Sequence, residues 1–289
     1  MNELKSKSSY QEISKDINNF VKNKLENYST NGIEAKTIHD PIWGSTDYSE
    51  WEMQLIDSPL IQRLRNISQV GLAVLTYPAA RHSRFEHTLG VAAATKRLVD
   101  RINVNCDNFN INQNVKSKLV LAAIMHDVGH CFYSHLSETI YGNLKDFSDL
   151  RKDIQRIYDI KPKPHEILSL LIVNSDAFKD FFSKSVNYPN KANLDRLCED
   201  VGKIIVGIDI VENGVIESYQ TAIINGSFDV DKLDYIKRDS YTAGLALDYD
   251  IERLFTKIKV HTLSVDGQIE NRLVIQANGV TAIEELTFC

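Results

Sequence analysis

The stretch that most limits how this chain can fold is "KLVLAAIMHD", in which seven apolar residues, Leu119 to Met125, run straight into His126-Asp127. A helix that is apolar on every side has to be buried on every side, so the segment reads as the central helix of an α-rich core. Its end is then interior as well, and burying an imidazole beside a carboxylate is costly without partners. A divalent cation partners both groups at once. His130 follows one turn after His126, and Glu138 lies at i+3 from His135. Both pairs share a face if the segment stays helical, while Gly129 favours a break. Taken alone, each histidine is more simply a satisfied polar group. The dipeptide is weak evidence too, since His39-Asp40 is a second copy with nothing metal-like around it.

Around this centre most segments carry helical periodicity. "SPLIQRLRNISQVG" offers Ser58 as N-cap, Pro59 at the first helical position and Gly71 as a stop. "FEHTLGVAAATKRLVDRI", "PHEILSLLIV", "DRLCEDVGKIIVGI" and "VDKLDYIKRDSYTAG" read as further helices, the last ending at Gly244. The polar run 140–160 reads as a surface insertion between core helices. Near the C-terminus, branched residues alternate around Asp266-Gly267, the pattern of a hairpin. The sequence stops at "TAIEELTFC", in the middle of what looks like a helix. No internal repeat is visible. The expectation is a mainly α fold with a small β-hairpin near the C-terminus, residues 1–35 forming a polar, weakly helical lead-in and 36–289 one domain.

The balance of 33 basic against 39 acidic residues, net −6, argues against nucleic acid as the main partner. It leaves room for a local basic pocket. The cysteines Cys106, Cys131, Cys198 and Cys289 are scattered and read as reduced thiols. The N-terminus has no apolar signal-like run, and nothing approaches the roughly 18 apolar residues of a membrane span. A cytoplasmic protein without a membrane partner is expected.

A metal at His126-Asp127 needs ligands from elsewhere. His87 lies in "RHSRFEHTLG" with Arg81 and Arg84 close by, which suits a ligand beside a phosphate clamp. By itself the same pattern is an ordinary basic helix N-terminus. Asp231, Tyr235 and Asp239 are spaced i, i+4, i+8 and line one helix face, with Lys232 adjacent. Spacing alone leaves open a solvated acidic face. Mixed nitrogen and oxygen ligands without thiolate suit Fe, Mn, Zn or Mg.

In this order, "DSPLIQRLRNISQVG", "YPAARHSRFEHTLGV", "HDVGHCFYSH", "PHE" and "DVDKLDY" resemble the HD-domain deoxynucleoside triphosphate triphosphohydrolases, the dGTPase-like and SAM-and-HD-domain enzymes, over some 200 residues from 39 to 244. The resemblance implies an HD-domain helical fold whose metal ligands are His87, His126, Asp127 and Asp231. It implies catalytic roles for His130, His135 and His165, with Glu138 where the best-known relatives have aspartate. Arg84 and Lys232 correspond to phosphate contacts. Gln69, Tyr235 and Asp239 correspond to groups around the deoxyribose. It further implies hydrolysis of deoxynucleoside triphosphates to deoxynucleoside and triphosphate and a homo-oligomer (dimer or tetramer); members of the family continue past the position of Cys289 into a C-terminal lobe, which is expected to be truncated or absent here. Two alternatives stay open. One is an HD-superfamily phosphodiesterase or nucleotidase acting on another nucleotide, and the other a non-catalytic nucleotide-binding sensor.

Overall fold

Secondary structure begins with α1 (Asn2–Lys5) and α2 (Ser8–Leu25), followed by a hairpin of β1 (Lys36–Asp40) and β2 (Gly44–Tyr48). A computed structural model describes residues 1–246, 249–265 and 267–279. Among these residues the chain is mainly α, as the periodicity predicts. Leu4, Tyr10, Val21 and Leu25 turn inward from the polar N-terminal segment, so its charged residues are the outer face of packed helices.

Next come α3 (Glu50–Ile56) and α4 (Pro59–Gln62), with Pro59 at the start as expected. The helix expected to run on to Gly71 does not do so. It tightens to a 3₁₀ turn at Arg63–Asn66, and Ile67 is extended. The physical reason is a competing partner: Ser68 bridges Ser83, the Gln69 N–H donates to the His82 carbonyl, and the Arg84 N–H donates to the Ile67 carbonyl. That exchange ties Gln69 to the start of α5 (Arg84–Asn105), which opens with a capping box of Ser83 and Glu86.

The seven-residue apolar run lies in α6 (Gln113–Met125), whose residues from Ser117 to Met125 are all buried. It packs against α5, α11 (Leu194–Val206) and α12 (Ser218–Ile224). Between α6 and α11 come α7 (His135–Tyr141), α8 (Lys145–Tyr158), α9 (Pro164–Asn174) and α10 (Asp176–Ser185). The 140–160 stretch is not a surface insertion. It contains α8, an amphipathic helix whose Phe147, Leu150 and Ile154 join α1, α2 and α9 in a second apolar core. Its polar face is what the composition reflects.

The chain closes with α13 (Val230–Ala243), stopped by a left-handed Gly244, then α14 (Ile251–Phe255) and the hairpin β5 (Ile258–Val265) and β6 (Gln268–Ile275). Of the expected Asp266-Gly267 turn, Gly267 has φ +79° and Asp266 lies outside the described residues. The hairpin is larger than expected, because β6 also pairs in parallel with β4 (Val215–Ile216), which pairs with β3 (Val211–Glu212). The helix expected at "TAIEELTFC" and Cys289 also lie outside the described residues. Cys106, Cys131 and Cys198 are free thiols, as expected. No helix among the described residues is long and apolar enough to cross a membrane.

Candidate metal centre

Four helix ends and turns converge on one point. His87 comes from the first turn of α5, His126 caps the C-terminus of α6, Asp127 follows it, and Asp231 sits in the first turn of α13. The turn after α6 is fixed from two sides. Arg63 donates to the carbonyls of Val128 and His130. Ser169 on α9 donates to the His126 carbonyl at 2.6 Å and accepts from the Gly129 N–H at 2.8 Å. Glycine is required there, because a Cβ at 129 would lie 2.1 Å from the His165 carbonyl oxygen.

The candidate ligand atoms face one another. Nε2 of His87 is 3.4 Å from Nε2 of His126, 2.9 Å from Oδ1 of Asp231 and 3.7 Å from Oδ2 of Asp127. Nε2 of His126 is 3.5 Å from Asp127 and 3.9 Å from Asp231. The far side of each ring decides what these nitrogens can do. Nδ1 of His126 donates to the Ala123 carbonyl at 2.7 Å, and Nδ1 of His87 donates to Asp234 at 2.7 Å. In the neutral rings both Nε2 atoms therefore present lone pairs. Donor atoms of His87, His126 and Asp231 lie within 4.8 Å of one another, with Asp127 within 3.7 Å of both imidazoles, and such lone pairs and carboxylates repel unless a cation lies among them. This donor set fits a divalent metal.

The electrostatics agree. Burial alone would raise the Asp127 carboxyl, but the Arg84 guanidinium and the neighbouring histidines hold it well below the usual carboxylate range. Asp231 is likewise held below its ordinary value by His87, against burial. Burial favours neutral His87, yet hydrogen bonds to Asp231 and Asp234 outweigh it and push the imidazolium up to about 10. The site favours positive charge where the four groups meet.

A second cluster adjoins the first. His130 and His165 stack with ring centroids 3.8 Å apart, and His135 leans edge-on against both. Their Nδ1 atoms lie 3.5, 2.8 and 3.0 Å from the same Oε1 of Glu138. Burial raises the Glu138 carboxyl, but hydrogen bonds from His135 and His165 overcome that and bring it to about 2. His130 is fully buried, and neither ring nitrogen is aligned for a hydrogen bond, although Asp127 lies 3.3 Å from Nε2. Burial holds its pKa well below the ordinary imidazole value, against the pull of Asp127. His135 is the exposed member, with 59% of its side chain accessible.

Both clusters border a cavity of about 450 Å³. Gln69, Arg84, Tyr235 and Asp239 line it. The side-chain amide oxygen of Gln69 is buried without a hydrogen-bond partner among the described residues. Asp239 is steadied by His82 at 2.7 Å, itself bonded to Thr242. Arg84 is bonded to Asp127 at 2.5 Å and donates from Nε to Ser134 at 2.9 Å. Ser134 and Tyr133 have φ of +52° and +64°, so the turn that delivers Ser134 is strained at the site. Lys232 does not line this cavity. Its ammonium folds back on Asp229 at 2.6 Å and the Gly226 carbonyl at 2.7 Å.

Several residues here escaped the sequence reading: Lys163 on the cavity wall, Ser134 on Arg84, Arg63 under the turn, and Asp234 behind His87. Only Asp234 left a local signal, as the i, i+4 partner of Arg238.

Comparison with known proteins places this geometry. The HD domain family matches residues 84–238, a span that contains every residue of both clusters. A Dictyostelium discoideum protein named deoxynucleoside triphosphate triphosphohydrolase SAMHD1 homolog is 29% identical over 81% of this chain and 41% of its own length. An uncharacterized protein of Methanocaldococcus jannaschii is 30% identical over 87% of this chain and 43% of its own length. Human deoxynucleoside triphosphate triphosphohydrolase SAMHD1 is 25% identical over 81% of this chain and 37% of its own length. The chain thus spans about two fifths of the length of these relatives.

Proposed function

Because the chain belongs to the HD domain family, whose domains bind divalent metals, we propose that it hydrolyses deoxynucleoside triphosphates to deoxynucleoside and inorganic triphosphate. The observation that carries this reading is the pairing of the two clusters across one cavity. Four ligating groups from three helix ends stand beside three imidazoles gathered on one carboxylate. Relatives named as deoxynucleoside triphosphate triphosphohydrolases support the choice of substrate.

His87, His126, Asp127 and Asp231 would hold the metal. When bound, it would polarise the phosphate and offset the charge that develops on it, as divalent ions do in phosphoryl transfer. Arg84, fixed by Asp127 and Ser134, faces the same space with a guanidinium oriented for phosphate oxygens. An imidazole of the second cluster accepts the proton of the attacking water, and His130, kept neutral by burial, backs that cluster by stacking on His165. Water adds to the α-phosphorus, the bond to the 5′-oxygen breaks, and that oxygen takes a proton. His135 is the donor, because it faces the cavity and its Nδ1 is held 3.0 Å from the Glu138 carboxylate. His165 holds the same Glu138 oxygen from the buried side at 2.8 Å. The unpartnered side-chain amide oxygen of Gln69, with Tyr235 and Asp239, receives the deoxyribose and its 3′-hydroxyl. We further propose a homo-oligomeric assembly in the cytoplasm.

The test is product identification. The protein is loaded with Mn2+ or Mg2+ and incubated with each deoxynucleoside triphosphate, and products are resolved by anion exchange. Deoxynucleoside with intact triphosphate is expected. Release of inorganic phosphate instead would move the assignment to a nucleotidase, and no product from a metal-replete sample would end the hydrolytic reading.

A further inference from the structure

We propose that Lys163 is the residue that binds the polyphosphate tail of the substrate, a role that rests on the triphosphate reading above. The charges on the cavity wall raise the need for such a group. Asp127, Asp231 and Asp239 supply three carboxylates, and Arg84 and Lys163 are the lysine and arginine cations among the lining residues. A triphosphate entering this acidic space has to meet donors that are not already spent. Arg84 can give phosphate only the N–H groups left over from Asp127 and Ser134, and the Lys232 ammonium is turned to Asp229 and the Gly226 carbonyl.

Lys163 is differently placed. Its ammonium is 3.8 Å from Glu166, outside hydrogen-bond reach, and just over half of its side chain is exposed. Its mount is stiff, however. Pro162 precedes it and Pro164 follows it, and its own φ of −68° and ψ of 154° are those the following proline favours. The backbone N–H donates to Glu166 at 2.7 Å, so the start of α9 is secured by the main chain. Two residues on, the same helix start presents His165 to Glu138. One rigid element therefore carries both a member of the proton-handling cluster and a lysine with donors to spend. Contacting phosphates remote from the α-phosphorus, Lys163 acts equally on bound substrate and transition state, so its loss raises KM more than it lowers kcat.

The test compares wild type with Lys163→Met, Lys163→Gln and Lys163→Arg, and with Lys152→Met as a remote surface control. Inorganic tripolyphosphate is titrated into each protein by calorimetry at fixed Mg2+, and steady-state kinetics are measured with each deoxynucleoside triphosphate. One charge-assisted contact corresponds to tripolyphosphate binding about tenfold weaker in the Met and Gln variants. Lys163→Arg and Lys152→Met should stay near wild type. KM for the nucleotides should rise by about tenfold with kcat changed less than about threefold. Wild-type affinity for tripolyphosphate in both Lys163→Met and Lys163→Gln, or no binding by wild type, overturns the proposal. If wild type binds tripolyphosphate through Lys163 but hydrolyses no deoxynucleoside triphosphate, the hydrolytic reading falls and the binding role stands. Hydrolysis by wild type with KM unchanged in the variants leaves that reading intact and overturns this one.

Discussion

Asp234 makes no proposed contact with substrate or metal, yet the structure makes it the residue whose loss should be felt in both stability and metal binding. It is fully buried. Oδ1 accepts from Trp43 Nε1 at 2.6 Å and Arg238 Nη2 at 2.8 Å, and Oδ2 accepts from His87 Nδ1 at 2.7 Å and Arg238 Nε at 2.8 Å. Asp234→Asn keeps the shape but can offer an oxygen to only one of these two pairs. The other pair then faces an NH2 group, donor against donor. Two lost hydrogen bonds to a charged acceptor correspond to about 3–6 kcal/mol. Arg238 keeps its 2.8 Å contact with Asp40, which favours the lower end. For a chain of this length that is a fall in Tm of about 5–10 °C. The assay is thermal unfolding of chelator-treated protein, so that metal loss cannot mimic the effect, alongside metal titration. Asp231→Asn, with 22% of its side chain accessible, should lose metal with a much smaller change in metal-free Tm. Asp234→Asn should also weaken metal binding about 10–100-fold, because His87 loses the partner that orients its ring. A metal-free Tm within about 1 °C of wild type would refute the reasoning.

Three further outcomes are expected. His126→Ala and Asp127→Ala should each purify with less than about a tenth of the wild-type metal content by elemental analysis, and each should abolish turnover. Gly90→Ala should destabilise the fold by several kcal/mol in urea denaturation, since its Cβ would lie 1.9 Å from Asp234 Oδ1 and 2.3 Å from Arg238 Nη2 where α5 meets α13. Glu138 titrates near 2 in the fold, below its ordinary value of 4.5. Its contribution is therefore present above pH 4.5 and lost as pH falls toward 2. The stability gap between wild type and Glu138→Gln, about 3 kcal/mol at most near neutrality, should narrow through that window in urea titrations, and a constant gap would contradict the assignment.

Much of the core was legible because its signals are local. The unbroken apolar run of α6 forces burial on every side, and the periodicity of α5, α9, α11 and α13 needs no partner to be read. Where local pattern met a distant competitor it misled. The helix from Pro59 ends early because Ile67, Ser68 and Gln69 find backbone partners at residues 82–84. Residues 140–160 look like surface because their polar face dominates the composition, while Phe147, Leu150 and Ile154 are committed to a core built with α1, α2 and α9.

The sequence by itself determined which groups could carry the chemistry: His126-Asp127 at the end of a buried helix, with His87 and Asp231 as candidate partners. Lone-pair direction and the availability of each cation were decided only in three dimensions. Asp234 and the Ala123 carbonyl set which nitrogen each imidazole presents, and Glu138 gathers three histidines from separate turns. Lys232 and Lys163 carry the same charge, and their hydrogen bonds alone set them apart. Lys232 is spent on Asp229 at the start of its own helix, whereas the flanking prolines leave the Lys163 ammonium at the cavity wall with donors unspent. Charge is written in the residue type, but whether a donor is free depends on which acceptors the fold has already brought to it.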